Sequence, residues 1–454
     1  MSKTKDGDHI PKDAIIREIA AHEGETVRLR GWIYSRTGKG KLEFLQLRDG
    51  TGIIQVVVNK KDVDETSWDA CQLLTQESSL IVTGTVVVDK RSKLGFEIQA
   101  ESVTLLQQAE GYPISPKEHS TPFLLDHRHL WLRSRKQHAI LSIRSTLALA
   151  MRQFFTDEGF VNLDSPIFTP SACEGTSTLF STEYFGDTAY LAQSGQFYME
   201  AGAASFGKVY CFGPTFRAEK SKGRRHLTEF WMIEPEVAFA DLDDIIDLAE
   251  RFTVYTVGRV LEKHRDELEN VLERDCTVLE KTCAGNFPRI AYNEVADWLD
   301  NFYRQQALDP AWEGKTTFAH GGDFGGDDET FFSKQYDRPV FVHRYPTAIK
   351  AFYMEPDPVD PTLSLSVDML APEGYGEIIG GGERASSLDY LLQQIERHNL
   401  PQEAFEWYLD LRRYGSFPHS GFGLGLERTV TWICGINHLR EAIPFPRLLN
   451  RLSP

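Results

Sequence analysis

The chain has 454 residues, of which 41% are hydrophobic and 25% charged, and its formal net charge is −17. That length allows two or three domains with separate cores, and no apolar run is long enough for a membrane span or a secretory signal. The acidity disfavours nucleic-acid binding except through local basic patches.

The six cysteines are scattered, without a CxxC pair. This pattern favours free thiols in a reducing compartment over disulfides or structural zinc. We therefore expect a cytoplasmic protein.

Five short β-branched segments follow one another from about residue 26, beginning with TVRLRGWIYSRT. Closely spaced strands of this kind predict a small barrel, for which an OB-fold is the first choice, with a helix at 64–76 between two strands. We assign this domain to residues 1–110. The Pro- and Ser-rich segment that follows predicts a linker over residues 111–130.

The remainder, residues 131–454, begins within a long helical pattern that ends at Gly159. Its strand patterns then occur in hairpin-like pairs and do not alternate one for one with helices. We therefore predict an α+β domain built on an antiparallel sheet flanked by helices. The segment GGDFGGDDE, Gly321–Glu329, predicts a loop.

The stretch FRAEKSKGRRHLTEF, residues 216–230, concentrates five Lys/Arg between two strand patterns and predicts a hairpin with a basic turn. Arg217 and Glu219 are two residues apart, which would place them on one face of a strand. A guanidinium suits phosphate and a carboxylate accepts from an amine, while Phe230 offers a flat surface for a base. The stretch fits a nucleoside triphosphate site, but composition alone favours a solvated basic turn or an RNA patch.

Two glycine-rich stretches lie downstream. GFGLGLER places three alternating glycines before Arg428, at the start of a predicted helix whose N-terminus favours anions. In YGEIIGGGER, Glu377 follows Asp368 by nine residues, and two such carboxylates suit Mg²⁺ bridging phosphates. Taken singly, these patterns favour a packing device and solvated surface acids.

Together, these motifs resemble the class II aminoacyl-tRNA synthetases, in particular the aspartate/asparagine/lysine subgroup and its asparagine-specific branch. GFVNLDSPIFTP is similar to motif 1 of that class, with Pro166 as its proline, FRAE…RRHLTEF to motif 2 and GFGLGLER to motif 3. SACEGTSTLF, QSGQFYMEA and AIPFPR extend the resemblance over nearly the whole chain.

The resemblance implies ATP-dependent formation of an aminoacyl-adenylate, followed by transfer of the amino acid to the terminal ribose of tRNA. It assigns the catalytic charge stabilisation to Arg217, at the α-phosphate, and to Arg428, at the γ-phosphate. Asp368 and Glu377 would hold Mg²⁺. The full set that the resemblance implies for ATP is Arg217, Glu219, Arg225, His226, Leu227, Phe230, Glu377, Gly425 and Arg428.

The amino-acid pocket implied by the resemblance favours asparagine over aspartate. Met199 stands where the aspartate enzymes carry a lysine that meets the substrate carboxylate, and Glu234 stands where they carry Asp. A carboxylate there would accept from an amide and repel a carboxylate. Arg384 would bind the side-chain oxygen, and the remaining contacts would come from Glu174, at the α-ammonium, and from Ser194 and Gln196, in the pocket wall. Core filling is the alternative role for Met199.

The barrel is similar to the anticodon-binding domain of the same subgroup, which implies tRNA(Asn) as partner. Arg36, Phe44 and Gln55 would contact the middle anticodon base, with Phe44 stacking on it. Phe44 as a barrel-core residue is the alternative. The resemblance also implies a homodimer through motif 1. Two other functions remain open: an aspartate-specific or relaxed enzyme, and a non-catalytic RNA-binding relative.

Overall fold

The protein is described by a computed structural model, which covers residues 11–170 and 178–454. The chain divides into two compact units, Met1–Ser120 and Thr121–Pro454. The division falls inside the segment predicted to be a linker. In the described part of the chain, every helix is too short or too polar to cross a bilayer.

The first unit is a closed barrel of five strands with one helix inserted, which confirms the predicted OB-fold. Strands β2, β3, β4, β6 and β5 pair in that order, and β5 returns to β2 to close the barrel. The bounds in this unit are β1 (Lys12–Asp13), a 3-10 turn (Ile16–His22), β2 (Thr26–Lys39), β3 (Leu42–Arg48), β4 (Ile53–Asn59), α1 (Glu65–Leu73), β5 (Ser79–Val88) and β6 (Phe96–Gln107).

Alternation of apolar and polar residues explains the barrel. In β3, Leu45 and Leu47 face the core, while Phe44 and Gln46 lie on the other side of the strand and are half-buried. The pairing of β2 with β3 shifts by one residue between Ile33 and Ser35. A shift of this kind exchanges the inward and outward positions of the strand beyond it.

The second unit is α+β, as predicted. Its large sheet has eight strands in the order β13-β14-β15-β16-β17-β12-β11-β7, and the six central strands pair antiparallel. Only the two outer strands, β13 and β7, join in parallel. A separate sheet pairs β8, β10 and β9.

The strands of this unit are β7 (Val161–Asn162), β8 (Phe168–Thr169), β9 (Ser181–Tyr184), β10 (Asp187–Leu191), β11 (Lys208–Phe216), β12 (Glu229–Ala238), β13 (Arg289–Ala291), β14 (Val340–His343), β15 (Ser366–Ala371), β16 (Gly376–Glu383) and β17 (His419–Gly425). The helices are α2 (Thr121–Asp126), α3 (Arg128–Trp131), α4 (Arg135–Asp157), α5 (Gln196–Phe206), α6 (Leu242–Asn270), α7 (Thr277–Cys283), α8 (Tyr292–Gln306), α9 (Gly326–Ser333), α10 (Leu388–Arg397), α11 (Glu406–Arg413) and α12 (Leu426–Ile433), with 3-10 turns at Gln402–Phe405 and Leu439–Glu441.

The long helical pattern before Gly159 becomes two helices, α3 and α4. Ser134 caps α4 by accepting from the backbone N–H of Gln137, and α4 ends just before Gly159, which adopts a positive φ of 80°. Helices α4 and α6 cover one face of the large sheet, where Phe155, Phe252 and Phe422 form the centre of the main core. On the opposite face of the sheet, Met199 and Ala203 of helix α5 pack against Val209 and Cys211 of β11, and the candidate ligand site lies beside this helix.

The prediction of a loop over Gly321–Glu329 was partly wrong, because helix α9 begins at Gly326. Asp328 is fully buried and accepts from the backbone N–H of Gly325, from Tyr303 and from Lys315 Nζ. The glycines of this segment disfavour a helix. Asp328 stabilises the helix by accepting a hydrogen bond from a backbone N–H at its start, where N–H groups lack partners within the helix.

Candidate active site

One strand, β12, carries a row of side chains across the open face of the large sheet. Its odd-numbered residues Trp231 and Ile233 pack into or against the main core. The alternate positions Phe230, Met232, Glu234 and Glu236 therefore lie on the opposite face.

The glycines of GFGLGLER form the floor beside this row. In the register of β12 with β17, Met232 is opposite Gly425 and Glu236 is opposite Gly421. A Cβ on Gly421 would lie 1.9 Å from Glu236 Oε2, and one on Gly423 would lie 2.5 Å from Met232 Cε. Gly421 and Gly423 are thus required by the side chains of the neighbouring strand, whereas a Cβ on Gly425 would meet only Arg428, at 3.9 Å.

All nine residues predicted for ATP line a single pocket at one end of this row. Residues of β12, of the β11–β12 connection, of β16 and of the β17–α12 junction meet there. The pocket is lined by Arg217, Glu219, Arg225, His226, Leu227, Phe230, Met232, Glu377, Ile378, Gly423, Gly425, Glu427, Arg428 and Leu439.

The predicted hairpin is present, but the expectation that Arg217 and Glu219 share a strand face was wrong. β11 ends at Phe216, and Arg217 begins a connection that spans residues 217–228. The backbone N–H of Arg217 donates to Thr228 O at 3.0 Å, and its guanidinium carbon lies 5.4 Å from the centre of the Phe230 ring. The connection itself therefore brings the cation and the aromatic ring together.

The cations of the turn have different partners. Arg225 is anchored by Glu329, at 3.2 Å, by Thr330 Oγ1, at 2.6 Å, and by the carbonyls of Gly326 and Gly374. His226 Nε2 lies 3.4 Å from Glu219 Oε2. Burial lowers the pKa of His226, and the nearby arginines add to this against the opposing effect of Glu219.

Two carboxylates, Asp368 and Glu377, lie over Gly380, and Glu377 also lines the pocket. A Cβ on Gly380 would be 2.9 Å from Glu377 Oε1 and 3.4 Å from Asp368 Oδ1. Each is paired with a cation: Lys350 Nζ lies 2.7 Å from Asp368, and Arg428 Nη1 lies 3.1 Å from Glu377. Hard oxygen donors over a glycine suit Mg²⁺, which takes one or two carboxylates together with substrate phosphates.

The described residues contain no cluster of three or more metal-ligating side chains; Mg²⁺ usually completes its coordination with water and substrate phosphates. Burial and the neighbouring Glu377 raise the pKa of Asp368 to about 6, against the opposing effect of Lys350. Burial and Glu377 likewise raise the pKa of Glu329 to about 7. This crowding of carboxylates favours the arrival of a cation.

The other end of the row meets the start of helix α5. Ser194 donates to Glu234 Oε1, and the backbone N–H of Gly195 donates to Glu234 Oε2 at 2.8 Å. Ser194 Oγ also accepts from the backbone N–H of Gln196 at 3.0 Å. The structure therefore brings three predicted amino-acid-binding residues into one buried cluster.

Arg384 is adjacent to this cluster and is almost fully buried. It donates from Nε and Nη2 to the two oxygens of Glu236, at 3.0 and 3.2 Å. Met199 is 2% exposed and packs with Ala203, Val209 and Cys211. That position is the one expected of a core residue. Glu174, also predicted for this pocket, lies outside the described residues.

On the barrel, the structure separates the three residues predicted to contact the anticodon. Phe44 and Gln55 lie on the outer side of β3 and β4, and Phe44 is absent from the barrel core, contrary to the alternative role considered for it. Arg36 is opposite Leu45 and donates to Glu43, at 2.9 and 3.1 Å. The register shift in β2 accounts for this separation.

Three site residues escaped sequence analysis: Lys350, Glu329 and Glu236. Lys350 is a single cation in the apolar context TAIKAFYM, and that isolation was the signal available. Glu329 was missed because its segment was assigned to a loop. Glu236 is two residues beyond Glu234 in the same strand, so the period of a strand would have found it.

Comparisons with known proteins agree with this geometry. The family described as tRNA synthetases class II (D, K and N) matches residues 120–449, and an OB-fold nucleic acid binding domain matches residues 27–106. The asparagine--tRNA ligase of Sorangium cellulosum is 58% identical over 96% of this chain and 98% of its own.

Solved structures give the same result. The asparaginyl-tRNA synthetase of Pyrococcus horikoshii, complexed with asparaginyl-adenylate, superposes with a TM-score of 0.91 at 44% identity and covers 98% of this chain and 100% of its own. The aspartyl-tRNA synthetase of Entamoeba histolytica reaches a TM-score of 0.81 at 26% identity, over 100% of this chain and 96% of its own. The chain therefore belongs to the class II tRNA synthetases of the aspartate, lysine and asparagine group, and within that group to the asparagine--tRNA ligase family.

Proposed function

We propose that this protein activates L-asparagine with ATP, forming asparaginyl-adenylate and pyrophosphate, and then transfers asparagine to the 3'-terminal ribose of tRNA(Asn). The observation that carries this proposal is the row on β12, which starts at the nucleotide pocket with Phe230 and reaches the buried carboxylate Glu234. An acceptor at that position favours the amide NH₂ of asparagine and repels the carboxylate of aspartate.

In this proposal, the nucleotide pocket binds ATP with its base against Phe230 and its adenine amino group near Glu219. Arg217 lies at the α-phosphate and stabilises the charge that develops as the amino-acid carboxylate attacks and pyrophosphate leaves. Arg428 lies at the γ-phosphate, with Arg225 and His226 at the edge of the pocket. Positioning and charge stabilisation do most of the catalytic work, and no protein nucleophile is needed.

Asp368 and Glu377 would hold Mg²⁺, which neutralises the phosphates and orients them. In the free enzyme, Lys350 Nζ donates to Asp368 Oδ2 at 2.7 Å and balances the charge of this carboxylate. The pairs that these carboxylates form with Lys350 and Arg428 hold the acidic groups in place for that role.

On the amino-acid side, we propose that Glu234 and Arg384 contact the substrate amide, one as acceptor and the other as donor. Arg384 directs Nε and Nη2 to Glu236, and its Nη1 lies 3.9 Å from the weak acceptor Met354 Sδ, a contact that the stronger amide oxygen would replace. Ser194 and Gln196 would complete the wall, with Glu174 at the α-ammonium group. A pocket that depends on buried polar matching discriminates by roughly 10⁴–10⁵.

We further propose that the barrel binds the anticodon of tRNA(Asn) and that the protein works as a homodimer in the cytoplasm, where charged tRNA is used. Phe44, half-buried on the outer barrel surface, offers the stacking face for an anticodon base. Around Pro166, the side chains of Val161, Ile167 and Phe168 are 38–51% exposed. A partner subunit that covers this apolar surface would account for its composition.

The test is exchange of labelled pyrophosphate into ATP, run side by side with asparagine and with aspartate. We expect exchange with asparagine alone. Exchange with aspartate but not asparagine would assign the protein to the aspartate-specific enzymes, and exchange with neither would favour a non-catalytic relative. Charging of tRNA(Asn) then tests the second step.

A further inference from the structure

A second buried carboxylate, Glu200, lies behind the amino-acid pocket and is absent from the mechanism above. It is on helix α5, one turn after Gln196, so the two side chains share a helix face. Its side chain is fully buried, and so is that of Arg412, its ionic partner at 2.7 Å. Such a group is retained at a cost unless its surroundings compensate it.

The hydrogen bonds of Glu200 account for both oxygens. Oε1 accepts from Gln196 Nε2 and from the hydroxyl of Tyr408, each at 3.0 Å. Oε2 accepts from Arg412 Nη2, from His419 Nε2 at 2.9 Å and again from Tyr408. A carboxylate with this many donors is saturated, so Glu200 is held by the protein and is not itself a substrate ligand.

Ionisation of Glu200 is maintained despite burial. Although desolvation opposes the charged form, Arg412 and His419 keep the pKa of Glu200 below its ordinary value. His419 Nδ1 also lies 2.8 Å from the carbonyl of Phe417, so both nitrogens of the ring face acceptors. Glu200 is therefore an acceptor only.

Because Glu200 can only accept hydrogen bonds, it fixes the orientation of the Gln196 side-chain amide. Because only the NH₂ end of an amide can donate to a carboxylate, Gln196 must direct Nε2 towards Glu200. Within the described residues, its Oε1 then has no protein donor. That oxygen is left to accept from an N–H group of a ligand beside Ser194 and Glu234.

The same network supports Arg384. Arg412 Nε donates to the carbonyl of Ala385 at 2.8 Å, and the backbone N–H of Arg384 donates to the carbonyl of His419 at 2.9 Å. Arg412 and His419 thus hold the side chain of Glu200 and also bind the backbone at Arg384 and Ala385.

We propose that Glu200 is a positioning residue for the amino-acid substrate: it orients the amide of Gln196 so that its carbonyl oxygen accepts from an N–H group of asparagine. This inference rests on the proposed function and deepens it. Gln196 is the residue that touches the substrate, and Glu200 acts through it.

The test is a double-mutant cycle on Glu200→Gln and Gln196→Met, with the KM for asparagine, the KM for ATP and Tm measured for each variant. Glu200→Gln keeps the volume but removes the obligatory acceptor, so Gln196 is free to turn its NH₂ to the pocket. We expect the KM for asparagine to rise roughly 10- to 100-fold, with the KM for ATP within about threefold.

Gln196→Met removes the amide but leaves the bonds of Glu200 to Tyr408, Arg412 and His419, so this variant retains the supporting network. Its KM for asparagine should rise similarly, and the double variant should exceed it by no more than about threefold. If the KM increases of the two single variants multiplied in the double variant, Glu200 would act by a route other than Gln196. An unchanged KM for asparagine in Gln196→Met would overturn the inference, even if Glu200→Gln failed to fold.

Asp357→Asn is the matched control. Asp357 is a buried carboxylate of the same unit, paired with Arg344 at 2.7 Å. Its loss should lower Tm without changing the KM for asparagine, and a KM change equal to that of Glu200→Gln would reduce the Glu200 effect to lost stability. Absence of asparagine-dependent exchange in the wild type would instead contradict the proposed function.

Discussion

At the scale of single residues, Glu234 is the group that we propose decides the chemistry of the amino-acid pocket. It is buried, and its two oxygens are held by Ser194 and by the backbone N–H of Gly195. The carboxylate of Glu234 therefore has two effects. It holds the start of helix α5, and it places a negative charge in the proposed amino-acid pocket. Such a group is sensitive to a change that preserves shape and removes charge.

Glu234→Gln should lower kcat/KM for asparagine in pyrophosphate exchange by roughly 100-fold, because one oxygen becomes a donor that faces other donors. Glu229→Gln is the control: it makes the same chemical change five residues earlier in β12, on the opposite face from Phe230 and Glu234, and should have little effect. Equal losses in the two variants would contradict the assignment of Glu234.

A residue whose proposed role depends on its chemical type is predictable from the sequence, whereas a residue whose role depends on a long-range partner is not. Phe230, Arg428 and Glu377 were predicted as site residues because a flat ring, a cation and a carboxylate have characteristic uses, and all three line one pocket. Met199 shows the other case. The substitution of a lysine position by Met correctly indicated the asparagine-specific branch, yet its side chain packs in a buried apolar cluster, and only the tertiary contacts of α5 reveal this.

At the scale of elements, strand β17 is the least tolerant part of the site. Its glycines at 421, 423 and 425 face the side chains of β12, while Phe422 and Leu424 pack in the core. Their alternation was visible in the sequence, but the atoms that forbid a side chain at 421 and 423 were not. Those atoms belong to a strand almost two hundred residues earlier.

Gly421→Ala should destabilise the protein by about 1–3 kcal/mol and abolish exchange, because the new methyl group would meet Glu236 Oε2 and, at 2.5 Å, the carbonyl of Pro235. Gly213→Ala is the matched control. It lies opposite Met232 in β11, and a Cβ there has no neighbour within 4 Å. Thermal unfolding and exchange assays of both variants test this, and a tolerated Gly421→Ala would contradict the glycine floor.

The end of β16 predicts a pH dependence of stability. Burial, together with Glu355 and Asp241, raises the pKa of Glu383 from 4.5 to about 7. The folded form therefore binds more protons than the unfolded form between these values, so the stability from this group is full below pH 4.5 and is lost as pH rises towards 7.

Glu383→Gln should remove that loss and raise Tm at pH 8 by about 2 °C, with a smaller gain at pH 5. The expected gain in Tm is small because solvent screens a half-buried carboxylate. Glu262→Gln, at a well-exposed position on α6, should leave the profile unchanged. A Tm gain of Glu383→Gln that is independent of pH would rule out this cause.

At the scale of the whole molecule, the two units have separate cores and separate proposed tasks. Strand spacing predicted the barrel and paired strands predicted the antiparallel sheet, since both depend on local patterns. The separation of Arg36 from Phe44 was not predictable, because a single shifted pair in β2 reverses which side chains face outward.

Phe44→Ala should lower kcat/KM for tRNA(Asn) in charging by roughly 5- to 100-fold, the loss of one stacked base, and leave pyrophosphate exchange unchanged. Val88→Ala, at an exposed position on β5, should affect neither reaction. A loss of exchange in Phe44→Ala would show that the barrel acts beyond tRNA binding.

The row of side chains on β12 also fixes the distance between two positions of the site. Phe230 and Glu234 are four residues apart on one rigid strand, a distance of about 13 Å, and the glycines beside them leave nothing on β17 to adjust. The distance from the base to the side-chain amide is thereby set by the backbone. Glutamine carries the same functional groups as asparagine with one more methylene, so its amide would lie beyond Glu234. On the proposed placement of the two substrates, we therefore expect this strand to select by length as well as by charge.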